Sequence, residues 1–267
     1  MLQQAGDFRE ESERLCVILA PLGDSDLESK TQFKDWTFND VVAHLHLWNY
    51  AADLSLAGGE RFGVLMTDVI KAIGAGTGHM AYTHQWLDGC AGRALVERWH
   101  GFYLEMAARF EVADPSERVR WAGPDMSVRS SITARQMETW AHGQEVYDVL
   151  GLECENTDRI KNICVLGVNT FGWTYANRKL EVPATKPCVR LTAPSGEMWE
   201  WNETETDNRV EGDAVEFCKV VTQTRNIVDT GLKVSGPVAV EWMSMAQCFA
   251  GSVEDPPRTG TRYRAER

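Results

Sequence analysis

The sequence TARQMETWAHGQEVYDVLG, residues 133–151, has the clearest helical pattern in the chain. At about 100° per residue, four polar side chains fall on one stripe of such a helix. They are Arg135, Glu138, His142 and Glu145. The other side carries large apolar residues, and the closing Gly151 is typical of a helix C-cap. We therefore predict a helix over residues 133–150 with one polar stripe and one apolar face.

The same periodicity continues towards the N-terminus. The further helices predicted there cover residues 8–22, 41–56, 61–73 and 83–110. Thr37 or Asn39 can cap the second of them, because side-chain oxygens at these positions accept hydrogen bonds from free amides. The glycine-rich GAGTG at residues 74–78 lacks the Lys-Ser/Thr and the preceding strand of a phosphate loop, so we interpret it as an interhelix loop. Long helices joined by short breaks indicate an antiparallel bundle.

Beyond residue 155 the pattern becomes mixed. Two alternating segments, residues 188–192 and 198–202, flank Pro-Ser-Gly and predict a β-hairpin. The remaining predicted elements are helices over residues 158–173, 212–221 and 238–249 and a strand over residues 231–234. The sequence therefore predicts an α+β chain with two domains, a helical bundle over residues 1–155 and a small α+β domain over residues 156–267.

Composition limits the kind of partner and the compartment. The chain carries 27 Lys and Arg against 39 Asp and Glu, a formal net charge of −12, and such a chain repels nucleic acid. No apolar stretch approaches the roughly 18 residues of a membrane span, and the start shows no signal-peptide pattern. Seven cysteines occur without a CxxC pair, which fits free thiols in a reducing cytoplasm. We therefore expect a cytoplasmic protein that acts on a small molecule, without nucleic acid or membrane partners.

Glu138 and His142 are four residues apart, so their side chains lie one turn from each other and can bind one metal ion. A solvent-exposed face with salt bridges would show the same spacing. The predicted helix over residues 41–56 supplies a third candidate ligand. On its wheel His44 lies on an apolar stripe, whereas His46 points to the opposite, polar side. A buried His44 needs a partner, although a histidine satisfied within the core would give the same pattern.

Several of these segments resemble the DinB-like, mycothiol-dependent maleylpyruvate isomerase superfamily. The resemblance rests on WT at residues 36–37, VVAHL at 41–45, WAGPDMS at 121–127 and the helix at 133–151. VTQTR at 221–225 and AQCFAG at 246–251 are similar to the C-terminal domain of its actinobacterial branch. The resemblance implies an N-terminal DinB-like four-helix bundle followed by a C-terminal small α/β domain. It further implies that His44, Glu138 and His142 hold a divalent metal, commonly zinc, which nickel or another transition ion can replace.

The resemblance also implies a cation that binds an anionic thiol cofactor. The branch has an arginine pair after Thr-Gln, whereas this chain has Thr224 followed by Arg225, so only Arg225 remains for that role. We expect Arg225 to face the metal cavity, and Arg225→Ala to weaken an anionic ligand by about 1.5–3 kcal/mol. His79 and His84 have no family role, and we interpret them as exposed loop histidines.

Three functions remain open at this point. The first is a metal-dependent thiol S-transferase or isomerase that uses mycothiol, in which His44, Glu138, His142 and Arg225 form the site. The second is a thiol-independent tailoring enzyme of natural-product biosynthesis, such as a hydrolase, lyase or cyclase. The third is a non-catalytic protein that binds a metal or a small molecule, since a fold alone does not select a chemistry. A monomer and a homodimer are both compatible with the sequence.

Overall fold

The computed structural model describes residues 1–266, and the chain divides into two compact units between Val146 and Tyr147. This division falls before the predicted domain boundary at residue 155. The cause is visible at Asp148, whose carboxylate accepts from Arg225 and whose backbone carbonyl accepts from the amide of Ala265. The end of the last bundle helix is therefore tied to the C-terminal segment.

The first unit is helical, as predicted. Its helices are α1 (Gln3–Leu19), α2 (Asp24–Leu27), α3 (Phe38–Leu56), α4 (Glu60–Gly74), α5 (His79–Leu87), α6 (Gly92–Val112) and α7 (Val128–Val149). Helix α6 packs against both α1 and α3, and α3 also contacts α4 and α5. Two short strands, β1 (Arg118–Val119) and β2 (Met126–Ser127), pair before α7. The core contains Trp99, Tyr103 and Trp140, all at most 1% exposed.

The start of α3 fixes one wall of the candidate site. Thr37 is its N-cap, as predicted, and the Thr37 hydroxyl accepts a hydrogen bond from the Asp40 amide at 3.1 Å. The Asp40 carboxylate accepts in return from the Thr37 amide at 2.9 Å. This reciprocal capping box satisfies two amides that the helix leaves free. It sets the position at which α3, the helix that carries His44, begins.

The predicted single helix over residues 83–110 is wrong. The chain forms α5 and α6 instead, separated where Asp88 and Gly89 adopt positive φ values of 50° and 77°. Asp88 has a side chain that tolerates the left-handed conformation, and glycine adopts it without a steric penalty. The break turns α5 back along α3, with which it makes contact.

The second unit is a four-stranded sheet with short helices, which confirms the α+β class. Its helices are α8 (Lys161–Asn169), α9 (Phe171–Asn177), α10 (Ala214–Val221) and α11 (Pro237–Met245), with 3₁₀ turns at Asp158–Ile160 and Ile227–Asp229. Its strands are β3 (Cys188–Thr192), β4 (Met198–Trp201), β5 (Arg209–Asp213) and β6 (Lys233–Ser235), in the order β4-β3-β5-β6. The predicted hairpin is the antiparallel pair β3–β4.

Strand β5 was not predicted, and Gly212, which we placed in a helix, lies in this strand. The strand pairs parallel with β3 and antiparallel with β6. Helix α10 begins only after Asp213, whose carboxylate accepts from the amides of Val215 and Glu216 at 2.7 and 3.2 Å. An aspartate N-cap of this kind marks a helix start two residues later than the apolar pattern alone indicated.

All seven cysteines are free thiols in the structure. Five of them are buried, and the sulfurs of Cys164 and Cys218 lie 3.5 Å apart. Within residues 1–266 no helix has both the length and the apolar character needed to cross a membrane.

Candidate metal centre

The structure brings His44 of α3 together with Glu138 and His142 of α7. Each residue offers one ligand atom, and these atoms all lie within 4.8 Å of one another. The Nε2 atoms of His44 and His142 lie 3.2 and 3.5 Å from the same oxygen, Glu138 Oε2. The side chains of the two histidines are 12% exposed and that of Glu138 is 17% exposed. Two imidazoles and one carboxylate thus converge in a largely buried place.

These distances fit a metal ion. Around a tetrahedral zinc with bonds of about 2.0–2.1 Å, neighbouring ligand atoms lie roughly 3.3 Å apart. Both nitrogen-to-oxygen distances are close to this value without any displacement of a helix. Because the donors are two imidazoles and a carboxylate, the set suits a transition ion better than magnesium or calcium.

The protonation states of Glu138 and His44 also suit a cation. Burial raises the pKa of Glu138, but hydrogen bonds with His142 and His44 and the charge of Arg135 outweigh it and hold that pKa well below 4.5. Burial lowers the pKa of His44 to about 3, although Glu138 opposes the shift. At neutral pH Glu138 is therefore an anion and His44 a neutral imidazole, the forms in which both groups bind metals.

The polar stripe of α7 is buried, so the solvent-face interpretation of this helix is wrong. Arg135 is 4% exposed and Glu145 is 2% exposed. The guanidinium carbon of Arg135 lies 4.9 Å from the centre of the Trp121 ring, and its Nε and Nη1 have no hydrogen-bond partner within residues 1–266. A buried positive charge one turn from Glu138 stabilises the anionic carboxylate.

An aromatic wall closes one side of the three ligands. The Trp36 ring centre lies 5.2 Å from that of His44 and 5.4 Å from that of His142, with which it is stacked. Phe33 lies edge-on to His142 at 5.3 Å. The two aromatic residues are joined by Lys34 and Asp35, both with positive φ. Trp36 belongs to the Trp-Thr pair of the family resemblance, and no periodicity in the sequence indicates that it contacts two of the metal ligands.

The interpretation of His79 and His84 as exposed loop residues is wrong for His79 in both respects, and for His84 it is wrong about the loop but right about the exposure. Both residues lie in helix α5. His79 is partly buried, and its ring centre lies 5.6 Å from that of His44. The His84 side chain is 49% exposed, and its Nε2 lies 2.7 Å from Asp40 Oδ1. His84 therefore contacts the N-terminal cap of α3, whereas His79 contacts the site itself.

His46 does not contact the three ligands, but the expectation that it points to a polar, exposed side is wrong. It is 2% exposed and packs between Trp86 at 5.4 Å and Phe102 at 5.2 Å. It lines a separate cavity of about 440 Å³. The reason is that α5 and α6 cover the side of α3 that the wheel left to solvent.

The burial of His46 predicts a pH-dependent stability. Burial lowers the pKa of His46 from 6.5 to about 4. Between these two pH values the unfolded chain binds more protons, so the free energy of unfolding falls as pH decreases from 6.5 to 4. We expect a loss of roughly 3 kcal/mol from this residue, and none further below pH 4. The measurement is urea denaturation of the metal-free protein across this range. The free energy of unfolding of His46→Gln, whose side chain cannot be protonated, should fall less steeply with decreasing pH. Equal slopes for the two proteins would contradict the assignment of this effect to His46.

Arg225 lies in the second unit and is held there by an ion pair. Its Nη2 donates to Asp148 Oδ1 at 2.7 Å, and its Nη1 donates to the Thr224 carbonyl at 2.8 Å. The side chains of Arg225 and Asp148 are 11% and 6% exposed. Two of the five donors of the guanidinium are used in this way, which leaves three for other contacts.

Comparisons with known proteins identify the family and the fold of the chain. A family model described as the mycothiol maleylpyruvate isomerase N-terminal domain matches residues 8–147. The uncharacterized proteins MT0041 (strain CDC 1551 / Oshkosh) and Rv0036c (strain ATCC 25618 / H37Rv) of Mycobacterium tuberculosis are each 34% identical over 255 residues, which cover 95% of this chain and 96% of theirs. Two crystal structures share the fold, that of the mycothiol-dependent maleylpyruvate isomerase and that of a histidine-to-alanine mutant of it. Both have a TM-score of 0.52 and cover 82% of this chain and 87% of theirs, at 11% and 13% identity.

Proposed function

This chain belongs to the mycothiol maleylpyruvate isomerase family, and from that membership we propose that it is a metal-dependent S-transferase or isomerase that uses a low-molecular-weight thiol such as mycothiol. The observation that carries the proposal is the convergence of His44, Glu138 and His142, whose ligand atoms all lie within 4.8 Å of one another and whose two nitrogen-to-oxygen distances are close to the edge of a zinc tetrahedron. The solved structures with this fold are named as a mycothiol-dependent enzyme, which supports the choice of a thiol.

The three residues would hold zinc, or another transition ion that accepts imidazole. Two histidines and one carboxylate leave at least one position for a substrate or cofactor atom, as in catalytic rather than structural sites. An ion held there supplies a positive charge that lowers the pKa of a bound thiol, so that the nucleophilic thiolate forms at neutral pH.

The surrounding residues prepare the site for this chemistry. Glu138 is an anion and His44 is neutral before any ion arrives, so binding requires no prior loss of a proton from either residue. Trp36 packs against both histidine ligands and Phe33 against His142, so one side of the site is apolar. A low-dielectric wall strengthens the interaction between the buried carboxylate and a cation. We propose that Arg225 binds an anionic group of the thiol.

The test is thiol-dependent turnover. Zinc-loaded protein is incubated with maleylpyruvate and with other activated electrophiles, in the presence and absence of mycothiol, and product formation is followed chromatographically. We expect turnover that requires both the thiol and the metal and that is lost in His142→Ala. Turnover at the same rate without thiol would replace this proposal with a thiol-independent tailoring enzyme. Tight retention of metal and ligand without turnover would instead indicate a binding protein.

A further inference from the structure

One histidine next to the three ligands has no part in the proposed function. His79 begins α5, and its ring centre lies 5.6 Å from that of His44 and 5.6 Å from that of Trp36. The His79 Nε2 atom is buried and has no hydrogen-bond partner in the described part of the chain. An unsatisfied buried nitrogen is unfavourable, so this position is better explained by a group that meets it when the protein is loaded.

The spacing of the rings matches ligands of a single ion. Two imidazoles bound to one tetrahedral zinc through nitrogens at about 2.0–2.1 Å have ring centres roughly 5 Å apart. The ring centres of His44 and His142 are 4.7 Å apart, and those of His44 and His79 are 5.6 Å apart. The ring planes of these two pairs are inclined at 64° and 79°, so neither pair is stacked.

We propose that His79 is a fourth protein ligand of the metal ion held by His44, Glu138 and His142, an inference that rests on the metal site of the proposed function. The nitrogens of His79 lie outside the set of atoms within 4.8 Å of one another, so binding requires a small movement of the ring. Gly76 and Gly78, with φ values of 78° and 80°, lie three residues and one residue before His79. Glycines in these conformations permit the first turn of α5 to shift without distorting α3 or α7.

A fourth protein ligand would determine which molecules can coordinate the ion. A molecule that coordinates the ion must first replace the His79 imidazole. Thiolates bind zinc strongly enough to do so, whereas water and weakly coordinating oxygen atoms do not. His79 would therefore favour thiols over water at this site. His84 lies five residues after His79 on α5. It is exposed and contacts Asp40, and so offers a matched control on the same helix.

The experiment uses the full chain loaded with Co²⁺ and proton NMR. Each imidazole bound to Co²⁺ contributes a ring N–H signal shifted far outside the normal range, and such signals disappear in D₂O. We expect His79→Ala and His79→Gln to lose one of these signals, while His84→Ala keeps all of them. We also expect zinc affinity, measured by chelator competition, to fall at least about 100-fold in both His79 variants, because groups that only support a ligand already cost about 10–100-fold. Circular dichroism verifies that each variant is folded.

The outcomes separate the two proposals. If the wild-type protein binds Co²⁺ and the number of shifted signals is the same in His79→Ala, His79 is not a ligand, and the site of His44, Glu138 and His142 stands. If the wild-type protein binds no Co²⁺ or zinc, the metal site of the proposed function is itself wrong. A loss of signal in His84→Ala but not in His79→Ala would show that the proposal names the wrong histidine of α5.

Discussion

His142→Ala and His44→Ala should each lose the metal while the protein keeps its fold. Each substitution removes one of three donors that meet at a single point. Changes to groups that merely support a metal ligand cost about 10–100-fold in affinity, so loss of a ligand should cost at least about 100-fold. The fold should persist because the large core side chains Trp99, Tyr103 and Trp140 are not among the ligands. Elemental analysis of the purified variants, together with circular dichroism, measures both effects.

His46→Ala is the control for His44→Ala, because it lies on the same helix and is buried but contacts Trp86 and Phe102 instead of the ligands. It should retain the metal, although removal of a buried ring should lower its melting temperature. Full metal retention in His44→Ala, or metal loss only in His46→Ala, would contradict the assignment of the site.

Arg225→Ala should destabilise the second unit strongly. Its partner Asp148 is 6% exposed on the side chain and would be left as a buried charge, a change that costs about 3–5 kcal/mol. Asp148→Ala should have a similar effect. The double variant should lose less stability than the sum of the losses in the two single variants. Chemical denaturation gives these free energies. Arg264→Ala is the matched control, because its pair with Glu153 is 51% and 84% exposed and should contribute at most about 1 kcal/mol. Equal effects of Arg225→Ala and Arg264→Ala would rule out a structural role for Arg225.

The expected contribution of Arg225 to ligand binding is measured separately from its contribution to stability. The guanidinium retains three donors beyond those used on Asp148 and Thr224, so it can bind an anion without breaking the ion pair. Calorimetric titration of an anionic thiol into folded Arg225→Ala should show the loss of about 1.5–3 kcal/mol that a charge-assisted hydrogen bond provides. An unchanged affinity would leave Arg225 with its structural role alone.

Local features of the sequence determined the parts of the fold that depend on neighbouring residues. Thr37 caps α3 because its hydroxyl reaches an amide three residues on. Glu138 and His142 share one side of α7 because four residues make about one helical turn. The hairpin of β3 and β4 follows from alternation on both sides of Pro-Ser-Gly. The metal ligands themselves were named from the sequence with the help of a family resemblance.

Tertiary structure decided which elements cover each face of a helix. A helical wheel gives the direction of a side chain but not what covers it, so His46 was expected to be exposed and is buried under α5 and α6. The break at Asp88 and Gly89, which the apolar pattern runs across, is what turns α5 so that His79 meets His44. Contacts between residues far apart in the chain depend on how whole helices pack, and hydrophobic periodicity specifies only which residues share a face of a helix.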